Sequence, residues 1–105
     1  RNPGRVAIVE LMKQHREDPL TLEQIAERIG YSRRNIERMF KMTLGQSPAR
    51  FYHNLRLDYG RNLLASTDLS LAEVAAACGF DSKSHFSKSF SRRFGVAPSR
   101  LHCRG

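Results

Sequence analysis

Arg34, Glu37, Arg38 and Lys41 fall at i, i+3, i+4 and i+7, the spacing of one face of an α-helix. Residues of these types in this pattern suit the reading of base-pair edges. A planar arginine fork donates twice to the O6 and N7 atoms of guanine. Arg34 and Arg38 stand one turn apart, so the pair reaches neighbouring base pairs. Glu37 accepts from the N4 amino group of cytosine, or else pairs with Arg33 and Lys41 along the helix surface. Further along the chain the matching face carries Ser84, Ser87, Lys88 and Ser91. Lys88 reads a guanine or meets a phosphate. Ser84 and Ser87 are small enough to admit the DNA backbone or a thymine methyl, so this second face carries weaker base information. Phosphate and other non-base contacts are expected from the helix starts at Ser32, Arg33, Ser82, Lys83 and His85. Lys41, Ser87, Arg92, Arg93 and Arg100 complete that set.

Other chemistries lack their residues. Cys78 and Cys103 form no CxxC pair, and His15, His53, His85 and His102 are scattered without metal-ligand spacing. No metal and no cofactor is expected. Cys78 closes the apolar run from Val74 and reads as a small buried hydrophobe. No nucleophile–base set, paired carboxylates or glycine-rich phosphate loop occurs, so the chain is not expected to be an enzyme. The formal net charge is +8, from 18 Lys and Arg against 10 Asp and Glu, which favours a polyanionic partner. The charge is also uneven. Glu17, Asp18, Glu23 and Glu27 cluster early, whereas Asp81 is the last acid before Lys83, Lys88, Arg92, Arg93, Arg100 and Arg104. A signal-peptide pattern and an apolar run of membrane-spanning length are both missing from the sequence, and the expectation is a soluble protein of the cytoplasm with no membrane partner.

The elements that must position these faces are set by an internal repeat. Residues 20–31 lie over residues 69–80; one residue is then inserted in the second copy, and Ser32, Ile36, Phe40, Gly45, Pro48 and Arg50 lie over Ser82, Phe86, Phe90, Gly95, Pro98 and Arg100. Each copy opens with a capping box, Thr21-x-x-Gln24 or Ser70-x-x-Glu73. The helix that follows buries Leu22, Ile25, Ala26 and Ile29, or Leu71, Val74, Ala75 and Cys78, and stops at Gly30 or Gly79. A new hydroxyl cap at Ser32 or Ser82 starts a second helix, 33–44 or 83–94, with Ile36, Met39, Phe40 and Leu44, or Phe86, Phe90 and Phe94, turned inward. Helix, glycine turn, helix is the helix-turn-helix pattern.

Between the copies Ser47-Pro48 starts a linker helix to about Ser66, with Phe51, Tyr52, Leu55, Tyr59, Leu63 and Leu64 as its apolar stripe and Gly60 as a weak point. Asn2-Pro3 caps a leading helix to about His15, and a short last helix follows Pro98. The predicted fold is all-α with about seven helices: a first helix-turn-helix unit with its leading helix over 1–46, the linker helix over 47–66, and a second unit over 67–105. Two helices entering successive major-groove segments of double-stranded DNA make a sequence-specific reader. The competing reading is a basic helical module that binds an acidic protein and shows no preference among DNA sequences.

These residues also resemble a known family, the AraC/XylS transcription regulators. The likeness spans nearly the whole chain. Its most specific stretch is Leu71-x-x-Val74-Ala75-x-x-x-Gly79-Phe80-x-Ser82-x-Ser84-His85-Phe86-Ser87-Lys88-x-Phe90-x-x-x-Phe94-Gly95-x-x-Pro98. The resemblance implies a transcription regulator, more often an activator, whose base contacts come from Arg34, Glu37 and Arg38 with Ser84 and Lys88 as counterparts. It implies RNA polymerase as a further partner and an effector-binding or dimerisation domain upstream. The chain opens at Arg1-Asn2-Pro3 without methionine, as expected of a C-terminal piece. The stretches from Met12 through Asp18-Pro19-Leu20 and Ser32-Arg33-Arg34-Asn35-Ile36-Glu37-Arg38-Met39-Phe40 are similar to regulators with an amidotransferase-like sensor domain. At Gly60 the family usually has alanine.

Overall fold

The computed structural model describes residues 2–102; Arg1, Cys103, Arg104 and Gly105 lie outside the described residues. Among those described, the regular structure is helical: α1 Pro3–Gln14, α2 Leu22–Ile29, α3 Arg33–Leu44, α4 Pro48–Ser66, α5 Leu71–Ala77 and α6 Lys83–Phe94. The seventh helix expected after Pro98 is a single 3-10 turn, Pro98–Arg100. No helix among these residues is long and apolar enough to cross a membrane.

Contacts divide the chain into two compact units. One comprises residues 2–15 together with Pro19–His53, and the other Arg16–Asp18 together with residues 54–102.

In the first unit the capping box of α2 is formed in full. Thr21 Oγ1 accepts from the Gln24 N–H at 3.1 Å while Gln24 Oε1 accepts from the Thr21 N–H at 2.8 Å. Helices α1, α2 and α3 pack pairwise. Ile8 and Met12 of α1, Ile25 of α2, and Ile36 and Phe40 of α3 are almost wholly removed from water. The Phe51 ring meets Phe40 edge-on at 5.5 Å. Tyr52 bonds to residues at both ends of the α1–α2 connection: its hydroxyl donates to the His15 carbonyl at 2.5 Å and accepts from the Leu20 N–H at 3.1 Å.

In the second unit Ser70 and Glu73 form the matching capping box. The core gathers Leu57 and Leu64 of α4, Val74, Ala75 and Cys78, Phe80, and Phe86 and Phe90 of α6. The aromatic rings follow one another, Phe80 to Phe86 at 5.4 Å, Phe86 to Phe90 at 5.5 Å and Phe90 to Phe94 at 4.6 Å.

Two details depart from the sequence expectation. Helix α5 ends at Ala77 rather than running to Gly79. The two glycine turns explain this. In the first unit Gly30, at φ 84°, sends its N–H to the Ala26 carbonyl, a single-bond left-handed ending. In the second, Gly79 at φ 80° bonds back to Ala76 while Phe80 bonds back to Ala75, the two-bond Schellman ending. The two turns therefore close differently, and the second copy carries one residue more before its cap serine. The second departure is in α4. Leu57, absent from the expected stripe, is fully buried, whereas Phe51, Leu55, Tyr59 and Leu63 are only half-buried.

Gly60 is buried because Phe86 and Cys78 come close to it. A Cβ placed there meets the Phe86 ring at 2.8 and 2.9 Å and the Cys78 sulfur at 3.0 Å. Phe86 is at 0% exposure and has nowhere to swing. Alanine has an intrinsic helix advantage of about 1 kcal/mol. Gly60→Ala nevertheless lowers stability by about 1–3 kcal/mol, as overpacking of a filled core does. Urea unfolding followed by circular dichroism checks this, and Phe86→Leu in the Gly60→Ala background recovers part of the loss.

Candidate nucleic-acid interface

The exposed face of α3 is a consequence of its buried one. Ile36 and Phe40 are held at 0% exposure, so the side chains half a turn away face solvent. Ser32 starts the helix by accepting from the Asn35 N–H at 3.1 Å, and Gly45 ends it. Arg34, Glu37, Arg38 and Lys41 are all exposed, and with Ser47 they line one open depression. The four residues expected to share a face are brought together. Ser47 joins them through its other task, capping α4 by accepting from the Arg50 N–H at 3.1 Å. Arg33 is turned aside: it donates to Glu23 at 2.7 Å and lies 4.0 Å from Glu37. Glu37 thus takes the surface pairing open to it, but with both side chains 53% exposed this contact leaves it accessible.

Helix α6 is set in the same way by Phe86 and Phe90. Ser82 accepts from the His85 N–H at 3.0 Å. Lys83, Ser84, His85, Lys88 and Arg92 are exposed, Ser87 is half-buried, and Arg100 is exposed in the 3-10 turn. His85 is engaged within its own unit, with Nδ1 3.1 Å from Asp81 Oδ1 and its ring edge-on to Phe80 at 5.1 Å. Arg93 also has structural contacts. It donates to Asp58 Oδ1 from Nε at 3.2 Å and from its terminal nitrogen at 2.8 Å, joining α6 to α4.

Arg56 was not found from the sequence. One terminal nitrogen donates to the carbonyls of Cys78 and Gly79, at 3.2 and 2.9 Å, and the guanidinium lies over the Phe80 ring at 4.7 Å. It holds the carbonyls at the end of α5, and so the turn that leads into α6. An arginine in an amphipathic helix reads as part of a polar face, and its carbonyl partners are more than twenty residues away, so no local signal marks it.

Cys78 is fully buried in the second unit. Burial pushes its thiol up from 9.0 to about 11, partly opposed by the nearby Arg56 and Arg16 guanidinium groups. A sulfur held protonated in the core is a packing group. No group of three or more His, Cys, Asp or Glu able to hold a metal occurs among the described residues.

Two capped helices, each buried on one side and bearing polar or cationic side chains on the other, make up the architecture of a DNA-binding helix-turn-helix protein. The sequence pattern of the family described as helix-turn-helix domain matches residues 25–103. The chain belongs to the AraC-type helix-turn-helix family of DNA-binding transcription regulators. It is 47% identical over 99 residues to the HTH-type transcriptional regulator CdhR of Pseudomonas aeruginosa, covering 94% of this chain and 30% of that protein. The chain therefore spans under a third of that relative's length. Among solved structures it is similar to an AraC-type transcriptional regulator from Chromobacterium violaceum, with 39% identity, a TM-score of 0.91, and coverage of 94% of this chain and 88% of that one. It is also similar to the DNA-binding domain of the global transcriptional factor AdpA in complex with a target DNA, with 29% identity, a TM-score of 0.85, and coverage of 95% and 89%.

The raised thiol pKa has a sign that can be checked. The unfolded chain loses the Cys78 proton near pH 9.0 whereas the folded chain keeps it to about 11. The contribution is therefore complete below pH 9 and is lost as pH rises through that window. Urea unfolding at pH 8, 9.5 and 10.5 shows a steeper fall in stability for the natural chain than for Cys78→Ala.

Proposed function

We infer that this chain binds double-stranded DNA sequence-specifically, with α3 and α6 each laid in a major-groove segment. The observation that carries this reading is the face of α3, where Arg34 and Arg38 stand exposed one turn apart on a helix whose rotation is fixed by its core. The AdpA domain solved on its target DNA supports the same use of the fold. Arg34, Glu37 and Arg38 read base edges, and Ser84 and Lys88 do so more weakly. Ser32, Arg33, Lys41, Ser82, Lys83, His85, Ser87, Arg92, Arg93 and Arg100 make phosphate and other anchoring contacts. For Arg33, His85 and Arg93 this use competes with the partners described above. In the full-length protein the module regulates transcription in the cytoplasm, mainly as an activator, with RNA polymerase as a second partner and an upstream domain supplying effector binding or dimerisation. It acts by binding rather than by catalysis.

Binding selection from random duplexes at two salt concentrations tests this reading. Arg38→Ala loses about 1–3 kcal/mol on the best site and relaxes base preference in one part of it. An equal loss on every sequence makes Arg38 a phosphate contact instead. Lys83→Ala weakens binding to all sequences alike and lowers the slope of log affinity against log salt by about one unit.

A further inference from the structure

Arg38 lines two depressions. One is the basic face already described. The other is lined by Tyr31, Asn35, Arg38, Met39, Met42 and Thr43, together with Asn2. At about 100° per residue, Asn35 and Met42 fall roughly 40–60° to one side of Arg38, as Arg34 and Lys41 fall to the other. Arg38 is thus the middle of a wider exposed surface, and the sequence pattern marked only one side of it.

The second side has its own chemistry. The backbone N–H of Asn35 is satisfied by Ser32, and its carboxamide makes no hydrogen bond among the described residues. Thr43 donates its hydroxyl to the Met39 carbonyl at 2.7 Å. Met42 is 78% exposed, far more than the other exposed large apolar residues, Val6, Val96 and Leu101, each at 38%. A lone exposed apolar side chain on a surface carries no message. Beside an amide and a guanidinium in one depression it does, because two of the features that an A·T pair shows in the major groove match the amide and the apolar side chain. Adenine offers N7 and N6–H to a carboxamide, and thymine offers a methyl group to an apolar side chain.

We propose that Asn35 and Met42 form a second reading strip on α3, selecting an A·T pair next to the base pair read by Arg38. This rests on α3 lying in the major groove. Both side chains are exposed, so Asn35→Ala and Met42→Ala keep the natural melting temperature. In selection from random duplexes, Asn35→Ala loses about tenfold of its A·T discrimination at one position adjoining that lost in Arg38→Ala. Replacing thymine by deoxyuridine at that position weakens the natural chain several-fold and leaves Met42→Ala unchanged. If Asn35→Ala and Met42→Ala select the natural sequence while Arg38→Ala does not, the strip is overturned and the groove placement of α3 stands. If Arg34→Ala and Arg38→Ala also select the natural sequence, the groove placement falls and the strip with it. Indifference of the natural chain to deoxyuridine overturns the part assigned to Met42.

Discussion

The rotation of each exposed helix about its own axis depends on two buried side chains one turn apart, Ile36 and Phe40 in α3 and Phe86 and Phe90 in α6. Since successive residues are offset by about 100°, anchoring two of them inside fixes where all the others point. A slip of one residue takes Arg38 from the middle of the exposed surface round toward its edge. The cost of exposing two large apolar side chains, about 1.5–3 kcal/mol each, opposes such a slip. The caps add the axial restraint. Ser32 and Ser82 fix the first turn by accepting from the third residue of each helix, and Gly45 and Gly95 end the last.

Both units use this arrangement, but they stabilise it differently. The first has a three-helix core in which Tyr52 bonds to the His15 carbonyl and the Leu20 N–H. The second depends on a run of phenylalanine rings, the close approach of Phe86 to Gly60, and the Arg56 guanidinium on the last carbonyls of α5. The inserted residue of the second copy belongs with these differences, because the Schellman ending brings Phe80 back over Ala75 and places its ring where Arg56 can lie on it.

What the sequence made legible is what local chemistry controls. The bounds of α3 and α6, both capping boxes, and the grouping of Arg34, Glu37, Arg38 and Lys41 depend on residues within a few positions of one another. What it did not reveal depends on distant partners. Leu57 and Gly60 face a core supplied by α5 and α6, and the glycine expected as a weak point in its helix makes room for the Phe86 ring. Arg93, expected as a phosphate contact, is engaged by Asp58, 35 residues away. Asn35 and Met42 lie off the i, i+3, i+4, i+7 face that starts at Arg34, although together with Arg38 they complete the exposed surface.

The side chains on α3 fall into two sets. Ser32, Ile36, Phe40 and the Arg33 pair with Glu23 hold the helix in place, while Arg34, Arg38 and Met42 project into solvent away from the core. Substitution in the second set changes what the helix meets without disturbing how it is held. With α3 laid in the major groove, as proposed, single surface replacements give access to new target preferences while the interior stays nearly fixed.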